Sequence, residues 1–383
     1  MTLSELDLSA VRFRTSEAVL PELRAACDAN PDLAEFEIIG ESEGGRPIVG
    51  VRLGIGPRVA TLVAGAHADE PVGPETLRAL VLEGLAARDW GAEGGGLEDL
   101  LQRWTLRIIP HVNPDAEARN RPWIDAWDAP PDPHGEGRDL ARLRAFLLGR
   151  RREPPGGDVE FGYSGRLGDA DLAPLRVENA TAEAFLFAGR PPSVHLSLHG
   201  MGYSEGALLL VSEGWLDART ELLRAGFLDA AAAIGLRPHD HDRQGDKGFV
   251  YAGPGAWSTP RGAAMRDHFL ALGDAETAGR FHLSSMERAS AAARAAGAPE
   301  PLSVVTELPL FVVSGDAVPE PCVATELARF NPVKDALLDA AADGAPLAPI
   351  LDAAGVRIAT VELRGAIGVQ LRAVEMALDA ANA

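Results

Sequence analysis

The sequence predicts an α/β protein built around a mostly parallel sheet. Helix and strand signals alternate along the chain, and this order is typical of that class. The run Val59–Ala64 is short, apolar and β-branched, as expected of a strand buried on both faces. Several such runs end directly in polar residues, and open α/β sheets gather the carboxyl ends of their strands at one edge. We therefore expect a buried sheet with a polar site at that edge.

The first part of the chain predicts one helix and two strands. Ser16–Cys27 has apolar residues at helical spacing, Ser16 can cap it, and Asn30-Pro31 ends it. Phe36–Gly40 and Ile48–Leu53 read as strands on either side of a polar turn.

The middle of the chain continues the alternation. After the Val59–Ala64 strand, Val72–Leu85 has helical spacing of apolar residues. Further strands are predicted at Leu106–Val112, Ser193–Leu198 and Ser303–Thr306, and Glu183–Ala188 is predicted to end a helix. Exposed loops are predicted where glycine and proline are frequent, at 91–96, 130–137 and 153–158.

The last fifty residues differ in composition from the rest. The chain becomes rich in alanine after about residue 330, with one possible strand at Val356–Leu363. We therefore predict one domain over residues 1–330 and a C-terminal, Ala-rich helical appendage over residues 331–383.

Composition limits the classes of partner. The net charge of −20 over 383 residues argues against a nucleic-acid or acidic membrane partner. Two cysteines, Cys27 and Cys322, are too few for a disulfide framework. The N-terminus has no signal-peptide pattern, and no apolar stretch is long enough to span a membrane. We expect a cytoplasmic protein, and the sequence does not indicate its oligomeric state.

Polar residues follow four of the predicted strands. They are His67 with Glu70, Asn113-Pro114-Asp115, His199 and Glu307. Parallel strands would bring these groups to one edge although they are far apart in sequence. Two histidines and a glutamate can hold zinc with one position open, and a further carboxylate, Glu307, can take a proton from water. Any one of these residues taken singly is more often structural.

The order of these motifs resembles the zinc carboxypeptidase family. It runs from His67-x-x-Glu70 through Asn113-Pro114-Asp115 and Leu196-Ser197-Leu198-His199 to Thr306-Glu307-Leu308, and Ile39–Ile48 resembles the stretch before the first ligands. The similarity covers about residues 15–315. It implies an α/β/α sandwich around a mixed sheet, one zinc ion, and water-mediated hydrolysis of an amide next to a free carboxylate.

The resemblance also implies roles for individual residues. His67 and Glu70 correspond to the first two zinc ligands, and the third is His195 or His199. We prefer His199, because the ligand should end its strand, and we expect His195 to be a core or supporting imidazole. Glu307 corresponds to the general base.

Other expected roles rest on weaker matches. The family places an arginine after Asn-Pro-Asp to polarise the scissile carbonyl, and Arg119 and Arg121 qualify, with Arg121 preferred. Asn113 is counted among the substrate-binding residues. Tyr203 and Tyr251 are the only tyrosines between His199 and Glu307, and of the two we prefer Tyr251 for the family's substrate-gating tyrosine.

The chain departs from the family at the residues that grip the substrate carboxylate. An Asn-Arg pair is expected in this region, but residues 157–164 carry Asp158 and Glu160 instead. Arg166 or Arg176 would have to turn inward to replace the missing cation, or the substrate end is neutral or basic. We favour the first alternative.

Three functional hypotheses remain open. The first is a zinc carboxypeptidase acting on a peptide or small amide. The second is a deacylase-type zinc amidohydrolase acting on an acyl-amino acid, which would explain the missing Asn-Arg pair. The third is a non-catalytic binding protein with the same fold. His239-Asp240-His241-Asp242 could form a second metal site, but adjacent ligands on a polar loop are more often exposed to solvent, and we expect that here.

Overall fold

One mixed sheet organises the molecule. The computed structural model describes residues 3–87, 97–128, 135–167 and 173–381. Its strands are β1 (Ala34–Glu41), β2 (Pro47–Leu53), β3 (Arg58–Ala64), β4 (Trp104–Ile109), β5 (Val194–Ser204), β6 (Gly206–Val211), β7 (Arg237–Pro238), β8 (Tyr251–Gly253), β9 (Ala256–Ser258), β10 (Leu302–Gly315) and β11 (Val356–Thr360). The predicted loop at 91–96 and the part of the 130–137 loop up to residue 134 lie outside the described residues.

The described helices alternate with these strands. They are α1 (Ser16–Asp28), α2 (Val72–Ala86), α3 (Leu97–Arg103), α4 (Pro114–Asp125), α5 (Arg138–Gly149), α6 (Val177–Leu186), α7 (Ala218–Ala233), α8 (Gly262–Ala271), α9 (Ala275–Ala278), α10 (Ser285–Ala295), α11 (Thr325–Phe330), α12 (Lys334–Ala342), α13 (Ala348–Ala354) and α14 (Leu363–Ala380). Short 3-10 turns lie at Leu3–Glu5, Glu213–Trp215, Asp246–Gly248 and Asn331–Val333. The N-cap of α1 is Thr15 and not Ser16, because the Thr15 hydroxyl accepts from the amide of Ala18.

The centre of the sheet is parallel and its flanks are mostly antiparallel. The strand order is β1-β2-β4-β3-β5-β10-β6-β9-β8, with β11 beside β10 and β7 beside β6. Strands β4, β3, β5 and β10 run parallel, whereas β1, β2, β8 and β11 pair antiparallel with their neighbours. The predicted α/β class is therefore confirmed as a mixed sheet.

Helices cover both faces of this sheet. Neighbouring strand residues point to opposite sides, so Leu62 and Ile108 lie in one apolar cluster while Val63 and Ile109 lie in another. Helices α2, α7 and α14 pack on the first face, and α6 and α10 pack on the second. This is the α/β/α sandwich that the family resemblance implies.

The C-terminal segment is part of this sandwich. Strand β11 pairs with β10, and α14 packs against α2, α7, β5 and β10. The domain boundary at residue 330 stays a prediction, but the elements beyond it share the sheet and the core. Among the residues that the structure describes, no helix is long and apolar enough to cross a membrane.

Two central strands are longer than predicted, and this positions the site. Strand β3 stops at Ala64, where it pairs with Leu198, whereas β5 and β10 stay paired from Leu302↔Val194 to Val312↔Ser204. His199 and Glu307 are partners within this long ladder and do not end their strands. The early end of β3 opens a gap beside β5, and the turn that follows β3 lies in it.

Candidate metal centre

The turn after β3 carries the first two candidate ligands. Gly65 has φ of +78°, and a Cβ atom there would lie 2.5 Å from the ring of His111, so a larger residue cannot make this turn without displacing that ring. The chain then brings His67 and Glu70 together, with the amide of Glu70 donating to the carbonyl of His67. Both side chains are buried.

His199 meets this turn from β5. Its Nδ1 lies 3.3 Å from Oε2 of Glu70, and its ring centroid lies 5.2 Å from that of His67. The other ring nitrogen, Nε2, is 2.8 Å from the hydroxyl of Ser197. Ser197 therefore fixes the ring so that Nδ1 faces Glu70.

The two histidines of β5, His195 and His199, lie in different environments. His195 is fully buried, with its ring nitrogens 2.8 Å from the Thr61 hydroxyl and 2.9 Å from the Ser285 hydroxyl. Burial lowers the pKa of His195 to about 3. It is a neutral core imidazole with both nitrogens occupied, and it does not face the cluster formed by His67, Glu70 and His199.

Backbone and arginine contacts hold Glu70 in place. Its Oε2 accepts from the amide of Gly200 at 3.1 Å, and its Oε1 accepts from Nη1 of Arg152 at 2.8 Å. Asp69, the preceding residue, accepts from Nε of Arg150 at 2.6 Å. The sequence contains Arg150-Arg151-Arg152 before a proline pair, and this run was the available signal for these cations.

Two further carboxylates surround His67. Its Nε2 lies 3.0 Å from Oε2 of Glu160, and its Nδ1 lies 3.6 Å from Oδ2 of Asp158, which is too long for a hydrogen bond. Burial opposes a charge on His67, but Glu70 and these carboxylates outweigh it and raise the pKa of His67 to about 10. The pocket therefore favours a cation, and the predicted exposed loop at 153–158 is wrong for Asp158, which is buried.

Glu307 completes the cluster from β10. The Glu307 side chain is partly exposed, but its Oε2 is buried and has no hydrogen-bond partner among the described residues. Burial, followed by the charge of Glu70, raises the pKa of Glu307 well above its usual range. A buried carboxylate oxygen without a partner is costly to the fold, so a functional role is the natural explanation.

The donor set fits a zinc ion. Among the described residues, one group of candidate ligands is His67, Glu70 and His199, whose ligand atoms all lie within 4.8 Å of one another, and another is His67, Asp158 and Glu160. Nδ1 of His67 is buried and has no hydrogen-bond partner among the described residues, as expected of an atom that coordinates a metal ion. Nitrogen and carboxylate oxygen are the donors that zinc accepts, with a fourth position left for water.

A cleft of about 340 Å³ opens onto these residues. Its polar lining includes His67, Glu70, Glu160, Glu307, Arg150, Arg152, Arg243, Lys334 and Tyr203. Arg150, Arg152, Arg243 and Lys334 were not predicted as site residues. Apart from the Arg150–Arg152 run, no sequence signal marks these cations.

The predicted arginines do not reach this cleft. Arg121 is exposed on α4 and pairs with Asp125, one helical turn away on the same surface. Arg119, on the same helix, pairs with Glu153. Both predictions are therefore corrected, because α4 turns these side chains away from the cleft.

The predicted substrate-binding residues also lie elsewhere. Asn113 caps α4 by accepting from the amide of Ala116, and its Nδ2 donates to Glu153 at 2.7 Å. Arg176 donates to the same carboxylate at 3.0 Å. Arg166 lines a separate cavity beside α8 and α10. Asn113 and Arg176 thus brace the loop that carries Asp158, and neither arginine replaces the missing cation.

Tyr251 is also turned away from the cleft. Its hydroxyl donates to Asp240, and the thiol of Cys322 donates to it at 3.5 Å. Tyr203, on β5, lines the cleft instead. His239, expected to be exposed, is buried against the ring of Trp257. Neither His239 nor His241 belongs to the candidate metal groups of the described residues.

The C-terminal helix supports the cluster from behind. Gln370 of α14 is fully buried, and its Nε2 donates to the carbonyl of His199 at 2.9 Å and to Oγ1 of Thr306 at 3.1 Å. Its Oε1 accepts from the hydroxyl of Thr76 at 2.6 Å. Gln370 therefore ties together α2, β5 and β10, next to a candidate ligand and to Glu307.

Comparison with known proteins supports the resemblance. Residues 20–147 match the family model described as zinc carboxypeptidase, a span that includes His67 and Glu70 and ends before His199. The predicted resemblance to that family is confirmed by this match. No curated protein matches the chain at a significant level.

Several solved structures are similar to the chain. Carboxypeptidase A from Helicoverpa armigera is 15% identical over 98% of this chain and 75% of its own, with a TM-score of 0.48. A metallo-carboxypeptidase from Burkholderia cenocepacia is 16% identical over 96% and 69%, with a TM-score of 0.45. Bovine thrombin-activatable fibrinolysis inhibitor is 12% identical over 97% and 98%, with a TM-score of 0.48.

Proposed function

We propose that the protein is a zinc-dependent hydrolase that cleaves an amide bond, of the metallocarboxypeptidase type, acting on a peptide or peptide-like substrate. One observation carries this proposal. The ligand atoms of His67, Glu70 and His199 lie within 4.8 Å of one another, and His67 and Glu70 line the same cleft as Glu307. The match of residues 20–147 to the zinc carboxypeptidase family supports it.

His67, Glu70 and His199 would hold the metal. The chemistry that zinc supplies when bound is Lewis-acid polarisation of the scissile carbonyl and of the attacking water. Ser197 fixes the ring of His199, and the amide of Gly200 fixes Glu70, so two of the three ligands are oriented before the metal binds.

Glu307 moves the proton. It takes a proton from the attacking water and delivers it to the leaving amine, so that one carboxylate serves as base and then as acid. Its Oε2 has no partner among the described residues and is free for this task. Glu287, another carboxylate that precedes β10 in the sequence, instead closes the capping box of α10 with Ser284.

The cation for the carbonyl oxygen is Arg243 in this proposal. Its guanidinium lies over the rings of Phe249 and Trp257, at 4.6 and 5.1 Å, and the charge of Glu307 acts on it. Arg152 lines the same cleft, but its charge is committed to Glu70 and Asp69. A fixed cation at such an oxygen contributes about 3 kcal/mol to the transition state, by analogy with one oxyanion donor.

Metal content and hydrolysis test the proposal together. Protein produced with zinc should contain one zinc per chain and cleave members of a panel of peptides and acyl-amino acids. Glu307→Gln should keep the zinc and lose at least roughly 10²-fold in kcat. Glu98→Gln, the same change at an exposed residue of α3, is the matched control and should behave as the wild type. Absence of stoichiometric zinc would refute the metal centre.

A second candidate function is favoured by Glu160. Its carboxylate lies beside His67, in the region where the family resemblance led us to expect an Asn-Arg pair. A deacylase-type zinc amidohydrolase acting on an acyl-amino acid would not need that pair. A matched pair of peptides, one with a free C-terminal carboxylate and one amidated, tests the first function, because a carboxypeptidase requires the free acid. Equal or faster cleavage of the amidated peptide would rule out the carboxypeptidase, and cleavage of acyl-amino acids without cleavage of either peptide would favour the deacylase. A zinc-loaded protein that cleaves neither class would indicate a binding protein.

A further inference from the structure

Lys334 is a cation of the cleft that the proposed chemistry does not use. Arg150 and Arg152 are paired with Asp69 and Glu70, and Arg243 is assigned to the carbonyl oxygen. Lys334, the first residue of α12, forms no hydrogen bond or ion pair with any residue that the structure describes. Its ammonium group can donate three hydrogen bonds, and none of the described residues accepts one from it.

The surroundings of Lys334 give no structural reason for a charged side chain, because a charge at this position does not stabilise the fold. The ammonium lies 5.1 Å from the ring centroid of Tyr203 and 5.5 Å from that of Phe330, at a half-buried position. Burial and the positive charge of Arg150 both lower the pKa of Lys334. Two cations that face one cleft without a shared carboxylate make a site for an anion.

The position of Lys334 is at a distance from the metal cluster. Tyr203 follows His199 by four residues on β5 and pairs with Phe311, just as His199 pairs with Glu307. Four residues of a strand span about 13 Å. The backbone at Tyr203 is therefore well separated from the backbone at His199, and Lys334 lies toward that end of the cleft. The hydroxyl of Tyr203 makes no hydrogen bond with another described residue, so a second donor is available there.

From this geometry we infer that Lys334, together with the hydroxyl of Tyr203, binds a carboxylate of the substrate and so determines specificity, and that the nearby charge of Arg150 adds to the attraction. The inference rests on the proposed function, since it concerns the same cleft. The carboxylate is either the terminal one or that of an acidic side chain, and both have the same chemistry. Lys334 belongs to the segment beyond residue 330, far from the residues that match the family model.

Binding of product-like ligands to the zinc-loaded full-length protein tests this inference by calorimetry. N-acetyl-L-glutamate carries both carboxylates, N-acetyl-L-glutamine only the α-carboxylate, N-acetyl-L-isoglutamine only the side-chain one, and N-acetyl-L-glutaminamide neither. Lys334→Gln should weaken binding of N-acetyl-L-glutamate by roughly 10- to 100-fold, the effect of losing a charge-assisted contact. One of the two ligands with a single carboxylate should lose affinity by the same factor as N-acetyl-L-glutamate. That ligand identifies the carboxylate that Lys334 contacts.

Two controls separate a contact from a fold defect. Lys247 is the only other lysine in the chain, so Lys247→Gln makes the same change away from Tyr203 and should leave binding unchanged. Lys334→Arg should keep binding within a few-fold, because it keeps the charge. In hydrolysis of an acidic substrate, Lys334→Gln should raise KM more than it lowers kcat.

The results of this experiment can be distinguished from the results that test the proposed function. Equal affinity of Lys334→Gln and the wild type for N-acetyl-L-glutamate would overturn the inference, as would no detectable binding of that ligand to the wild type. Carboxylate-dependent binding that is lost in Lys334→Gln would support it even if no substrate were cleaved, since calorimetry does not require turnover.

Discussion

Replacing Gln370 should weaken both the fold and the metal centre, because this one side chain joins three elements next to the site. Gln370→Met keeps the volume of the side chain and removes the amide. The change leaves the carbonyl of His199 and the hydroxyl of Thr306 without the bonds at 2.9 and 3.1 Å that Nε2 donates. The hydroxyl of Thr76 also bonds to the carbonyl of Val72 at 2.9 Å, so its loss is smaller.

The expected magnitude follows from these contacts. A buried polar group left unsatisfied costs about 1–3 kcal/mol. With two groups affected, and with each able to relax in part, the free energy of unfolding should fall by about 2–4 kcal/mol. Because the carbonyl of His199 is one of the two, the position of that candidate ligand should also be less well fixed, and zinc affinity should fall by roughly 10-fold, as for loss of other groups that orient ligands.

Urea unfolding and zinc competition with a chromophoric chelator measure these two effects. Gln102→Met makes the same change on the exposed face of α3 and is the matched control, with an expected change below about 0.5 kcal/mol. If Gln370→Met unfolds at the same urea concentration as the wild type and binds zinc equally well, then α14 does not support the site, and the C-terminal segment would be the appendage that its composition predicted.

Three further predictions concern the site and the core. His67→Ala or His199→Ala should remove zinc from the purified protein, whereas His195→Ala should retain it, and elemental analysis showing the reverse would move the third ligand to His195. His195 has a folded pKa of about 3, below its ordinary value of 6.5, so folding favours the neutral ring and stability is lost as the pH falls below 6.5. The loss due to His195 should reach about 1.4 kcal/mol at pH 5.5, and His195→Gln should flatten the curve of unfolding free energy between pH 7 and 5, a result that an unchanged curve would contradict. Gly73→Ala would place a Cβ atom 2.3 Å from the carbonyl oxygen of Leu198, just before His199 on β5. It should therefore lower the midpoint of thermal unfolding and the zinc content, while Gly84→Ala, farther along α2 with only a side-chain atom at 3.1 Å, should change neither by much.

The sequence by itself determined the class of fold and the residues of the cluster. The apolar, β-branched composition of runs such as Val59–Ala64 indicates buried strands, so the sheet and its alternating helices were predictable. His67 and Glu70 are three residues apart, and short-range spacing in a turn is a local property. His199 and Glu307 follow apolar runs on parallel strands, so their position side by side in the sheet was predictable from the shared direction of those strands, although neither residue ends its strand.

The identity of the cations in the cleft was decided only by the tertiary structure. Arg119 and Arg121 are close in sequence to Asn113-Pro114-Asp115, but α4 turns them toward Glu153 and Asp125. Arg152 contacts Glu70 across more than 80 residues of sequence, and Lys334 lies over Tyr203 across more than 130, and no periodic pattern in the sequence indicates contacts of that kind. A long side chain can reach its partner from many backbone positions, so its contacts depend on how loops and helices pack.

The packing of the C-terminal segment also could not be predicted from the sequence. Its alanine-rich composition predicted an appendage, since small residues give little sign of what they pack against. The small residues of α14 instead allow the helix to lie close to β5 and β10, and this proximity lets Gln370 reach the carbonyl of His199. Composition indicated that a helix would form there, but only packing determined that it would support the candidate metal centre.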